Sequence, residues 1–347
     1  MAYTTIDDPS AYFQTALYTG NGGTQSITND GNSDLQPDLV YMKERNGTNW
    51  CTMYDSSRGV TKQISTNVNN YEYTSSGLTA FNSDGFTLGS ATNENTNTNT
   101  YVGWQWKANG GTRTTNTESG DNPGGGYQAN TTAGFSIVDY TGTGATGTMA
   151  HGLGAVPHVM IFKNRADARD WRFYHKAYGA EKYLDFNTST ALGDASTPWN
   201  DTDPTSSVFT VGSDGGSNDD GDGIIAYLWT GIQGYSKFGS YEGNGNSDGA
   251  FVYTGFKPAW VLVRRTETGN NWHLVDNKRD TFNPTDLQLY PNLSNAEYAE
   301  DDGMDFLSNG FKIRESANWI NEQELYIYMA FAEQPFVTSG GVPCTAE

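Results

Sequence analysis

Four histidines (His151, His158, His175 and His273) and two cysteines (Cys51 and Cys344) are the residues best suited to metal or nucleophilic chemistry. None of them sits in a spacing that such chemistry uses. A zinc site on a helix places two imidazoles one turn apart, and a cysteine-rich site uses CxxC pairs. Neither pattern occurs. His151, beside Gly152-Leu153-Gly154, reads as a turn residue capping loop carbonyls. Cys51 and Cys344 read as a buried thiol and a tail thiol, with a long-range disulfide as the alternative. There is no Gly-x-Ser-x-Gly elbow and no GxxxxGK phosphate loop, so acyl and phosphoryl transfer lack their usual signatures. Carboxylates are so numerous that a pair at the glycosidase separation of roughly 5–9 Å arises by chance. Hard-oxygen ligands for Ca²⁺ come closest in SDGGSNDDGDG, with Asp214, Asp219, Asp220 and Asp222. The closing Glu of an EF-hand is missing there, and the loop reads as a solvated acidic hairpin tip. No cofactor is expected.

Aromatic side chains offer binding rather than catalysis. A sugar platform needs ring faces that stay wet, so its candidates are the aromatics that fall outside any repeat: Tyr71 and Tyr73 (NNYEYTSS), Trp199 (STPWNDTDPT) and Trp319 (SANWINEQE). Aromatics at repeated positions read instead as core: Trp50, Trp104, Trp106, Trp171, Trp229, Trp272 and Phe331.

The repeat itself is plain. Phe86, Phe209 and Phe311 each precede Trp106, Trp229 and Phe331 by 20 residues. Pro37, Pro157 and Pro258 are each followed six residues later by Lys43, Lys163 and Arg264, and then, seven or eight residues on, by Trp50, Trp171 and Trp272. A glycine turn precedes each proline: Tyr18-TGNG, Tyr140-TGTG, Tyr241-EGNG. A recurring pattern of this kind marks one supersecondary unit used several times. Within it, alternation of period two (LVYMKER, VGWQWK) marks strands, with Val102, Trp104 and Trp106 on one face, matched by Ile225, Tyr227 and Trp229 and by Ile327, Met329 and Phe331. Abundant Gly (41) and Tyr (21) with only 17% charged residues suits short strands and tight turns. The fold expected is all-β, three tandem antiparallel β-sandwich (jelly-roll-like) modules.

The prolines lie 120 and 101 residues apart, a spacing that suits globular modules with their own cores. The expected order is a leader over 1–16, modules over 17–109, 133–233 and 234–336, a flexible linker over 110–132 and a frayed tail over 337–347. Tyr12 and Phe13 in the leader are candidate anchoring residues. A net charge of −20 with 20 Lys and Arg and no basic run disfavours nucleic acid as a partner. No stretch approaches the ~18 apolar residues of a membrane-spanning helix, and the first residues lack the basic-then-apolar order of a signal peptide.

The strings MAYTTIDDPSAYFQTALYTGNG, FNSDGFTLGS, YVGWQWKANGG, AGFSIVDYTGTG, HGLGAVPH, GFKPAWVLVRR, DFLSNGFKIR and YIYMAFAEQPF resemble repeats in virion proteins of tailed bacteriophages, especially marine and cyanobacterial phages. That resemblance implies a non-enzymatic virion protein, a tail-associated fibre or receptor-binding protein. Its partners would be other virion proteins and a host surface glycan or protein, and it would be a homo-oligomer, by analogy a trimer. Two alternatives remain open: a capsid decoration protein or head fibre held by the leader, and more remotely a glycan depolymerase.

Overall fold

Side-chain alternation builds strands here, but the three closing strands bury both faces. A computed structural model describes residues 2–117 and 119–345, with only the backbone of residues 300–302. Thr100–Trp106, Gly223–Trp229 and Leu325–Pro335 are buried along nearly their whole length. A strand buried on two sides must lie between two packed layers.

One layer is the expected sandwich. All pairings between the named strands are antiparallel, and the sheets stack in pairs. In the first, Phe13–Thr19, Thr100–Trp106, Leu39–Glu44 and Thr52–Asp55 are adjacent, and a three-stranded sheet containing Gly85–Leu88 faces them. Tyr18, Val40, Tyr54, Phe86 and Tyr101 fill the space between. A second pair joins the sheet of Phe135–Thr141, Gly223–Trp229 and Val159–Asn164 to the ribbon Gly147–Ala150 with Val208–Val211. The third joins Ser236–Glu242, Leu325–Pro335 and Phe256–Arg265 to the sheet containing Gly310–Ile313. We call these pairs lobes. The fold is all-β, as expected.

The other layer is a shared centre. Trp106 meets Trp260 at 5.8 Å, Trp229 at 6.1 Å and Phe331 at 5.6 Å between ring centroids, so one cluster joins all three lobes. Trp104, Trp171, Trp229, Trp272 and Phe331 belong to it too. The expectation of modules with their own cores, the first joined by a flexible linker, is therefore corrected: the second face of each closing strand is apolar and packs on the other lobes.

The basic residue of the repeat closes this arrangement into a ring. Lys163 Nζ donates to Asn69 O of the first lobe at 2.9 Å, Arg264 Nη2 to Thr190 O of the second at 2.5 Å, and Lys43 Nζ to Ser294 O of the third at 3.0 Å. Backbone bonds follow the same circuit: Glu72 N to Arg165 O, Leu192 N to Thr266 O, and Glu297 N to Arg45 O. Two junctions add buried ion networks. Arg58 pairs with Asp55 and Glu72, and Tyr227 donates to Asp55 at 2.7 Å. Arg279 pairs with Asp276 and Glu297, and Trp104 Nε1 donates to Asp276 at 3.0 Å. At the third junction His175, Tyr178 and Leu192 occupy the equivalent places, and burial pushes the His175 imidazole down to about 3, leaving it neutral.

The glycine turns also have a cause. A Cβ on Gly20, Gly142 or Gly243 would lie 2.0–2.2 Å from a backbone oxygen of Thr96, Asp219 or Glu322. Beside each turn a fully buried Asn (Asn95, Asn218 or Asn321) accepts a turn N–H and donates to neighbouring loop oxygens.

Two segments differ from expectation. Within 110–132, Thr114–Asn116 and Gly125–Asn130 extend the second lobe's sheet, and Gly110 and Gly111 donate to the Asp38 carboxylate at 2.9 and 3.0 Å. Gly, Asn and Thr suggest a linker, but here their N–H groups find partners. The leader is packed as well. Phe13 is buried and stacks on Phe331 at 5.2 Å, while half-buried Tyr12 meets Tyr235 edge-on at 6.1 Å. Neither projects as a free anchor. The tail returns alongside it, Ser339 N donating to Asp7 at 2.6 Å and Cys344 N to Phe336 O at 2.9 Å; residues 346 and 347 of the expected tail lie outside the described residues.

Because the centre is shared, Trp106→Ala should destabilise the whole chain by roughly 3–5 kcal/mol. Calorimetry of the variant should show one transition displaced to lower temperature. A displaced transition for the first lobe beside unmoved ones for the others would contradict a common core.

Candidate aromatic binding cleft

The outer surface of the first lobe carries an open cleft of about 540 Å³, lined by Trp50, Asn70, Tyr71, Tyr73 and Asn93. Its origin is a one-residue offset. Trp171 N and Trp272 N donate to the side-chain oxygens of Asn187 and Asn292, and in the first lobe Cys51 N donates to that of Asn67 at 2.9 Å. Cys51 therefore occupies the core slot. Its Sγ faces Leu293 O at 3.3 Å, where the Trp171 and Trp272 indoles reach Ser65 O and Asp185 O. Adjacent side chains in extended backbone point to opposite sides, so Trp50 turns outward. The expectation that Trp50 is core is corrected: it is half-buried and lines the cleft.

Trp50 and Tyr73 meet edge to face, 6.3 Å between centroids. Tyr71 is 56% exposed. Asn93 fixes the pair, Trp50 N donating to its Oδ1 at 3.4 Å and its Nδ2 to Tyr73 Oη at 3.5 Å. Burial, then the nearby Glu94, pushes the Tyr73 phenol up to about 12, so it stays a neutral hydrogen-bonding group. Ring faces beside amides suit a neutral saccharide, whose C–H face stacks while its hydroxyls bond the amides. Among the described residues no carboxylate lines the cleft.

The other two candidates are elsewhere and enclosed. Trp199 is buried between the sheets of the second lobe, against Phe162 at 4.8 Å and Tyr174 at 6.2 Å. Trp319 is buried in the third lobe, stacked on His273 at 4.9 Å with Nε1 donating to Glu315 at 2.9 Å. Neither offers a wet face, which corrects their assignment as sugar contacts. Sequence reasoning missed Trp50, Asn70 and Asn93. The signal for Trp50 was its spacing, seven residues from Lys43 where the other tryptophans lie eight from their basic residue.

The acidic loop is engaged by side chains of the protein, two arginines and an asparagine. Asp214 holds Arg172 through both oxygens at 2.9 Å, Asp219 holds Arg169 at 2.7 Å, and Asp222 accepts from Asn164 at 2.8 Å. Asp220 is exposed, and the four do not gather as Ca²⁺ ligands among the described residues. Among the described residues no group of three His, Cys, Asp or Glu is placed to hold a metal. His151 accepts from Leu153 N at 3.2 Å, as a turn residue does. Cys51 and Cys344 are both free thiols.

One buried acid lies behind the cleft. Glu94 is fully enclosed, with Oε1 3.0 Å from Tyr54 Oη and Oε2 without a partner among the described residues. Burial pushes its carboxyl up to about 7. It faces the lobe interior, where no substrate reaches it. A carboxyl whose folded pKa exceeds its unfolded one adds stability below the unfolded value and loses it as pH rises towards the folded one. Glu94→Gln, which mimics the protonated form, should match the parent at about pH 4.5 and exceed it by roughly 1–3 kcal/mol at about pH 8. Urea unfolding at the two pH values measures this, and a gap independent of pH would refute it.

One family's profile matches residues 8–335, a domain of unknown function (DUF7483), and the chain belongs to that family. No curated protein and no solved structure gives a match.

Proposed function

We propose that this member of the DUF7483 family is a non-enzymatic structural protein of a tailed-bacteriophage virion. It is a tail-associated fibre or receptor-binding component that meets a host surface glycan through the Trp50–Tyr71–Tyr73 cleft. The observation that carries the adhesive part is an indole moved out of its core slot, beside two tyrosines and two amides, on a body whose lobes are locked together. Binding groups held on a rigid frame keep their geometry at little entropic cost. The virion part rests on the motif resemblance, which brings other virion proteins as partners and assembly into homo-oligomers. A capsid decoration protein held by its leader is the second reading. It is disfavoured because Tyr12 and Phe13 pack inward. A depolymerase would need carboxylates facing the cleft, and among the described residues its lining has none.

A glycan array probed with the purified chain should show retained neutral oligosaccharides. The double variant Trp50→Ala/Tyr71→Ala should lose them by at least about tenfold while stability moves by no more than about 1 kcal/mol, the range of surface substitutions. Equal retention by the variant would remove the cleft from the reading. Cryo-electron microscopy of the particle tests location: density at the tail supports it, and density on the capsid lattice favours decoration.

A further inference from the structure

The chain carries a net charge of −20, yet one cleft of about 320 Å³ is lined by Lys176, Lys237 and His158 and, among the described residues, by no carboxylate. It lies where the second and third lobes meet, with Tyr3 at its edge. The two ammonium groups form no ion pair among the described residues. Lys237 Nζ donates to Tyr253 O at 2.6 Å and lies 5.2 Å from the centroid of that ring, while Lys176 Nζ stands 3.2 and 3.3 Å from the two His158 nitrogens. Each ammonium has three donors, so both keep N–H groups for a ligand. His158 Nδ1 accepts from Gly231 N at 3.1 Å, which fixes that nitrogen as unprotonated.

Like charges gathered without a counter-charge repel. Partial desolvation in the cleft lowers both lysines, and for Lys176 the charge of Lys237 adds to it. In a chain with twice as many acids as Lys and Arg, 40 against 20, leaving this one cleft unneutralised is what an incoming anion would relieve. Tyr253, 47% exposed, presents its ring alongside. We infer that this cleft binds the carboxylate or phosphate group of an acidic saccharide, Lys176 and Lys237 holding the anion and Tyr253 stacking on the sugar. The site shares no residue with the Trp50 cleft and does not depend on that reading.

Isothermal titration of the full chain with glucuronate, glucose 6-phosphate and glucose tests it. Saturable binding of either acidic sugar, absent for glucose, is expected. It should weaken at least about tenfold when salt rises from about 20 to about 300 mM, as expected of partly exposed charges. Lys176→Gln/Lys237→Gln should remove it at least about tenfold, with circular dichroism confirming the fold; if that variant unfolds, Lys176→Gln alone serves, since Lys176 is exposed. No saturation, an equal response to glucose, or undiminished binding by the folded variant would each overturn the inference.

Discussion

The three closing strands are each buried on both faces, and nearly everything else about the molecule depends on that. One face completes a sandwich within its lobe, and the other brings Trp106, Trp229 and Phe331 into one cluster with Trp260. Separating the lobes would expose several large aromatic side chains at once, each of them worth a few kcal/mol of burial. The apolar centre supplies most of the attraction. The circuit of basic side chains and backbone bonds decides how each lobe is placed on the next.

That circuit is repeated in plan but not in chemistry. Two junctions are closed by buried Asp–Arg–Glu networks and the third by His175, Tyr178 and Leu192. A buried ion network fixes geometry, because losing one partner strands a charge, while its net contribution to stability is small. The third junction has no such ion network among the described residues and is held by the Arg264–Thr190 and Leu192–Thr266 hydrogen bonds. Its neutral, deeply buried His175 stands where the other lobes place an aspartate, so the same backbone plan accepts either chemistry. The Asn clamps, by contrast, are kept in all three lobes. Each is a fully buried amide that satisfies backbone groups of a glycine turn, a need that does not vary with the neighbouring lobe.

The candidate site shows where pattern reading succeeds and where it stops. Tyr71 and Tyr73, singled out because they lie outside the repeat, do line the open cleft. Trp199 and Trp319 met the same criterion and are core, because loops long enough to fold back bury their own aromatics. Trp50 was assigned to the core through a tolerance of one residue in the repeat, and one residue is the difference between the two sides of an extended chain. Tyr12, Phe13 and the stretch 110–132 looked detached by composition, but composition records what a segment tends to do alone, and these segments find partners distant in sequence.

From its residues alone the chain declares an all-β fold, the strands that alternate, the aromatic positions that recur and the glycines that must turn, since all of these follow from local geometry and short-range spacing. Which face of a closing strand meets its own lobe and which meets the centre was decided only in the folded molecule. So was the ring, closed by Lys43, Lys163 and Arg264 across more than 70 residues of sequence, and so was the gathering of Lys176, Lys237 and Tyr253 around one cleft. Such contacts join residues whose separation carries no period. Only close packing of apolar surface against apolar surface brings them together.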